Sequence, residues 1–176
     1  MSRSRESVHA TSSFKEALLT HLDAAYNLAR WLSRNQHDAE DIVQEAMMKA
    51  IQYQSSYSGG DLRAWLLTIV RNTAYSLFQR QGKNKREIEY DETTSELALD
   101  KPDPETALWS SIDCENLREA LASLPEEYRE ALVLRELEGY SYKEISEITG
   151  SPIGTIMSRL NRARAMLHAA LVPRRR

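Results

Sequence analysis

Ser141 to Leu171, SYKEISEITGSPIGTIMSRLNRARAMLHAAL, is the stretch whose reading decides the fold of this chain. Ser141 followed three residues later by Glu144 is a capping-box pattern, in which hydroxyl and carboxylate each satisfy an orphan backbone N–H, so a short helix opens here and runs to Thr149. Gly150 makes the turn. Ser151-Pro152 reads as a cap followed by proline at the first position of a last helix ending near Leu171. Ile145, Ile148, Ile153, Ile156, Leu160, Ala163 and Leu167 fall at the spacing of inner faces. Two helices joined by a tight glycine-containing turn, the second long and basic, predict a helix-turn-helix that enters duplex DNA. Thr155, Ser158, Arg159 and Arg162 form its exposed stripe, with Met157 and Asn161 on the flank. Small polar side chains approach base edges closely, and arginines reach guanine O6/N7 or phosphate. Ser151 at the helix N-terminus is placed for a phosphate. The competing reading of the same residues is a helical hairpin with a solvated basic face.

Outward from this unit, charge is segregated. The net charge of −3 over 176 residues conceals a basic run, Arg71 to Arg86, with five Lys/Arg and no acid. An acidic run follows, Glu87 to Glu115, with ten carboxylates against Lys101. Tyr140 to Arg176 then carries seven Lys/Arg and two Glu. Two basic blocks around an acidic one imply two surfaces that meet phosphate and a segment that does not.

Helical periodicity and the placement of glycine and proline predict an all-α fold of two small helical domains joined by an acidic flexible linker. Phe14, Leu18, Leu22, Ala25, Ala29 and Leu32 mark a first helix, Ser13 to Ser33. Asp38 is a cap for a second, with Ile42, Val43, Ala46, Met47, Ala50 and Ile51 inward. Asp61 caps a third through Val70, and a fourth runs from Asn72 to Gln81, stopped by Gly82. The expected division is a disordered tail at 1–12, a four-helix domain at 13–82, the linker at 83–108, a second domain at 109–172 and a basic tail at 173–176. In the second domain a helix from Trp109 to Ser123 and another from Glu126 to Leu137, ended by Gly139, precede the helix-turn-helix.

Composition excludes several classes. The longest apolar run, Ala64 to Val70, is too short to cross a bilayer, and the polar start offers no signal peptide, so the expected compartment is the cytoplasm. Cys114 stands alone, and His9, His21, His37 and His168 lack ligand spacing, so neither a metal nor any other cofactor is expected. Without paired carboxylates, a nucleophile constellation or a phosphate loop, the chain reads as a non-enzyme.

Five stretches then carry a resemblance: Asp38-Ala39-Glu40-Asp41-Ile42-Val43-Gln44-Glu45-Ala46; Leu62-Arg63-Ala64-Trp65-Leu66 with Ile69 and Arg71-Asn72; Leu124-Pro125 with Arg129-Glu130-Ala131; Glu138 to Ile145; and Gly154-Thr155 with Ser158-Arg159 and Arg162-Ala163-Arg164. In this order they resemble bacterial RNA polymerase sigma factors of the extracytoplasmic-function (ECF) group. The resemblance implies a first, region-2-like domain that binds the clamp helices of the polymerase largest subunit and recognises the −10 promoter element while aiding melting, and a region-4-like domain that reads the −35 element and meets the flap. It also implies an anti-sigma factor as partner. On this basis Asp41, Gln44 and Glu45 are the polymerase contacts, on the outer side of the second helix. Asp38 is assigned to capping. Arg71, Asn72, Tyr75, Arg80, Lys83, Lys85 and Arg86 are the −10 contacts, supplying amide, aromatic and cationic groups for bases leaving the stack. Asn72 reads a base edge or caps the fourth helix, and neither role excludes the other. Trp65 belongs to the core. Arg135, Ser151, Thr155, Met157, Ser158, Arg159, Asn161 and Arg162 are the −35 contacts. Arg135 matches a DNA-contacting position, and its alternative is a salt bridge to Glu136 or Glu138. Met157 stands where related sequences often have arginine and Asn161 where an aromatic is common, so the −35 sequence preference does not transfer. The alternative function is a stand-alone helix-turn-helix regulator whose N-terminal helices dimerise or sense a signal.

Overall fold

A computed structural model describes residues 13–33, 35–81 and 114–171. The expected tails, the acidic linker, Gly82 and the candidate residues Lys83, Lys85 and Arg86 lie outside the described residues. Among the described residues every regular element is helical. Residues 13–19 form α1, followed by α2 (Leu22–Ser33), α3 (Gln36–Gln52) and α4 (Leu62–Arg80), with one 3-10 turn (Gln54–Ser56) between α3 and α4. The second unit comprises α5 (Cys114–Ser123), α6 (Glu126–Leu132) continued by a π-helical turn (Val133–Leu137), α7 (Tyr142–Thr149) and α8 (Ile153–Leu171).

Three boundaries differ from expectation. The first helix is broken by a turn at Thr20 and His21, where α1 ends and α2 begins. The cap of α3 is Asn35, not Asp38: its side chain, on extended backbone at φ −138°, accepts from the Asp38 N–H at 2.8 Å. Asp38 thereby sits in the first turn, where its charge meets the positive end of the helix dipole. The third and fourth helices are one, because neither glycine nor proline interrupts Val70 to Thr73. The polar residues there serve different neighbours: Arg71 turns to α6, Asn72 faces solvent, and Thr73, almost fully buried, accepts from Lys49 Nζ at 3.3 Å. Asn72 therefore caps nothing. Asp61 does cap α4, accepting from the Ala64 N–H at 3.1 Å.

The helix-turn-helix forms as its sequence dictates. Ser141 and Glu144 close both halves of the capping box, and Gly150 takes φ +69°, a left-handed conformation that a side chain would strain. Ile145, Ile148, Ile156, Leu160, Ala163 and Leu167 are buried between α7, α8 and α6. Ile153 is the exception, 45% exposed. Removing the Ser141 hydroxyl leaves the Glu144 N–H without its cap, and Ser141→Ala is expected to cost about 1 kcal/mol in urea unfolding of the chain.

The first unit encloses Leu18, Leu28, Leu32, Ile42, Leu66, Leu67 and Val70, and Trp65 packs at its margin, its ring centroid 5.4 Å from Tyr57 and 6.0 Å from Phe14. The two units pack against each other, α2 on α6 and α4 on α7. Their seam is polar as well as apolar. Arg71 Nε donates to Glu130 Oε1 at 2.7 Å, the Tyr75 hydroxyl donates to Glu130 Oε2 at 3.3 Å, and Arg63 pairs with Glu138.

Candidate nucleic-acid interface

The expected polymerase contacts lie together on α3. Asp41 and Gln44 are exposed one turn apart, and His37 Nε2 stands 3.7 Å from the Asp41 carboxylate. Glu45 is occupied: Lys49 stands 2.7 Å away and Arg80 3.9 Å, and the hydrogen bond from Lys49 holds its carboxyl below the ordinary range. The sequence reading missed Met48, 71% exposed and one turn beyond Gln44. With Asp41 and Gln44 it gives α3 two acceptors beside an apolar knob, a composition suited to a protein partner.

The expected −10 residues divide. Asn72 and Arg80 are exposed on α4, whereas Arg71 and Tyr75 are turned inward onto Glu130. The Arg71 guanidinium also stacks on Tyr75, 4.6 Å from the ring centroid. Glu130 is 1% exposed. Burial pushes its carboxyl above the usual range, while Arg71 and the Tyr75 hydroxyl act in the opposite direction. Burial, and then Glu130 itself, raise Tyr75 above its ordinary value, so its hydroxyl keeps its proton and donates.

On α8, Ser158, Asn161, Arg162 and Met157 are exposed and Thr155 is half-buried, so the outward stripe stands without Arg159. Arg159 is buried, paired with Glu127 at 2.6 Å and donating to Ser151 Oγ at 3.0 Å. It ties α6 to the turn before α8, and the Ser151 hydroxyl is engaged within the protein. The cause is a carboxylate on a neighbouring helix, which no spacing within α8 announces. Arg162 donates to the Tyr128 hydroxyl at 3.4 Å from an otherwise exposed position. Arg135 makes neither salt bridge envisaged for it. It donates to the Tyr140 carbonyl at 2.9 Å and lies over the Tyr142 ring.

On another side of the second unit is an apolar groove of about 390 Å³, lined by Leu117, Leu121, Leu132, Val133, Leu137 and Leu167. Among the described residues there is no cluster of His, Cys, Asp or Glu suited to a metal, and no helix long and apolar enough to cross a membrane.

Residues 18–84 match the family model of sigma-70 region 2, and residues 114–167 that of sigma-70 region 4. The ECF RNA polymerase sigma factor EcfG of Rhodopseudomonas palustris is 36% identical over 162 residues, covering 92% of this chain and 86% of that protein. The chain belongs to the ECF sigma factors. SigE of Mycolicibacterium smegmatis, another ECF sigma factor, is 37% identical over 90% of this chain, which spans 61% of that protein's length. Among solved structures, the sigma factor RpoE of Bartonella quintana, crystallised with the anti-sigma factor NepR, is 36% identical and superposes with a TM-score of 0.71 over 93% of this sigma factor and 99% of that chain.

Proposed function

We propose that the chain is a dissociable promoter-specificity subunit. It binds core RNA polymerase through Asp41, Gln44 and Met48 on α3. It reads a −35 element with Thr155, Ser158, Asn161 and Arg162, and engages a melted −10 strand from α4. The observation that carries this is the pairing, on one chain, of an acceptor stripe on α3 with an exposed basic recognition helix α8. Residues 13–82 and 109–172 act as the two promoter-reading units, and the acidic 83–108 segment, repelled by phosphate, runs along polymerase. The groove of α5, α6 and α8 suits an apolar helix from the polymerase flap. By analogy with the Bartonella complex, an anti-sigma factor is the expected inhibitor. The protein contributes binding rather than chemistry, and it works where chromosome and polymerase meet, in the cytoplasm. A stand-alone regulator is disfavoured by the region 2 match, which leaves no separate sensing module among the described residues.

Geometry then requires the units to part. Elements at −35 and −10 lie about 25 base pairs, about 85 Å, apart at 3.4 Å each. Some 130 packed residues have a radius of gyration of only about 14 Å. The 26 residues 83–108 can span up to about 90 Å when extended, which suffices.

Transcription in vitro with core polymerase on a genomic template library tests the reading: defined start sites sharing two spaced elements are expected, and template-independent or absent initiation would refute it. Asp41→Ala with Gln44→Ala is expected to weaken polymerase binding roughly a hundredfold, since each acceptor lost from a charged partner is worth about 1.5 kcal/mol. Unchanged binding would remove α3 as the contact.

A further inference from the structure

We infer that Arg63 and Arg71 form a phosphate-binding pair for the melted −10 strand, and that the carboxylates of Glu138 and Glu130 occupy their two phosphate positions while the chain is closed. The inference rests on the promoter-reading role proposed above and adds Arg63, which neither spacing nor charge run singled out.

The argument begins with what the two guanidiniums hold. Both project from α4 toward the second unit. Arg71 Nε donates to Glu130 at 2.7 Å; Arg63 pairs with the Glu138 carboxylate and also donates to the Glu138 carbonyl at 3.0 Å. The two carboxylate side chains are 1% and 3% exposed, so each arginine has an anion seated on it and shielded from water. A guanidinium presents the same donor fork to carboxylate and to phosphate. Each arginine also lies over an aromatic ring, Arg71 over Tyr75 at 4.6 Å and Arg63 over Tyr140 at 5.1 Å. Eight residues along a helix separate the pair by about 12 Å, enough to meet distinct phosphates of one strand.

Adhesion alone is a weak account of these pairs. Desolvating two charges consumes most of what their attraction returns, so apolar residues would join the units at least as well. When the units part to span the promoter, Glu130, Glu138 and Tyr140 leave with the second unit, and both arginines remain on the helix that carries Asn72, Tyr75 and Arg80. Tyr75 stays with Arg71 as a stacking surface for an unstacked base.

The test uses holoenzyme assembled from the full chain and core polymerase. The ligands are a forked DNA bearing the single-stranded −10 strand of a promoter the chain selects in vitro, and the same fork with that strand scrambled. Arg63→Ala and Arg63→Gln are expected to weaken binding of both forks by a similar factor, roughly fivefold, and to reduce the slope of log affinity against log salt by about 0.7, the value for one lost single-strand phosphate contact. Arg63→Lys should retain most of the affinity and the slope, and its thermal midpoint guards against misfolding as the cause. In the free chain, Glu138→Ala should raise affinity for the −10 oligonucleotide at low salt. An unchanged slope in Arg63→Ala, weakening confined to the matched fork, or equal loss in Arg63→Lys would each overturn the phosphate role. If wild-type holoenzyme prefers neither fork to unrelated duplex, the promoter reading itself falls, and this inference with it.

Discussion

Glu130→Ala shifts the free chain from closed toward separated units, seen in solution scattering as a larger radius of gyration. The carboxylate is the hub of the seam: it accepts from Arg71 and Tyr75 on α4 while standing on α6, and it is 1% exposed. Truncating one member of a buried pair costs far more than the pair contributes, because the other charge is left desolvated, and about 3–5 kcal/mol is typical. Arg71 keeps 19% of its side chain in water, which places the effect near the lower end. About 3 kcal/mol is still a shift of more than a hundredfold in the ratio of closed to open chain. Protonation gives an independent handle. Burial raises the Glu130 carboxyl above its ordinary value near 4.5, so closure takes up protons. That contribution to closure is complete below the ordinary value and is lost as pH rises through the raised one. Acidification from neutral pH should therefore tighten the closed wild-type chain through this group, and Glu130→Ala should lack that component. A scattering profile identical to wild type at neutral pH would show that the seam closes without the Glu130 carboxylate.

What the sequence made legible is what depends on neighbours three or four residues away. The Ser141–Glu144 box, the left-handed Gly150, the Asp61 cap and the inward isoleucines of the helix-turn-helix are all local consequences of spacing. So is the exposure of Asp41 and Gln44 opposite Ile42 and Val43. Misreadings arose where a distant residue competes. Arg159 has the helical phase of the α8 stripe, yet Glu127, far back in the chain, draws it inward. Arg71-Asn72 looks like a helix break until Glu130 and Lys49 are seen to take the flanking polar groups of a continuous helix. The pairing of Arg63 with Glu138 has no local signal, because the two lie 75 residues apart. Even the α3 cap was lost to a local ambiguity, since Asn35 and Asp38 are both good caps and only the extended backbone at Asn35 decides between them.

Arg129 is the largest case of this kind, and its removal should be the most damaging single change in the second unit. Its sequence neighbours are the glutamates 126, 127 and 130, yet the arginine is 0% exposed. Its Nη1 donates to the carbonyls of Leu124 at 2.9 Å and Ala122 at 3.3 Å, and Nη2 to the Leu32 carbonyl at 3.4 Å. Two of these acceptors lie at and just beyond the end of α5, where helical carbonyls have no partner of their own and a cation is favoured by the dipole. The third is the penultimate residue of α2 in the other unit. One side chain thus closes the α5–α6 corner and fastens it to the first unit. Arg129→Ala removes the bonds to all three carbonyls and opens a cavity, and the expected cost is about 3–5 kcal/mol in urea unfolding. Arg129→Met separates the causes. It restores most of the volume without the donors, so stability close to wild type would mean that packing governs the corner. Stability close to Arg129→Ala would mean that the orphaned carbonyls do, and that the α5–α6 corner of the second unit depends on a buried guanidinium.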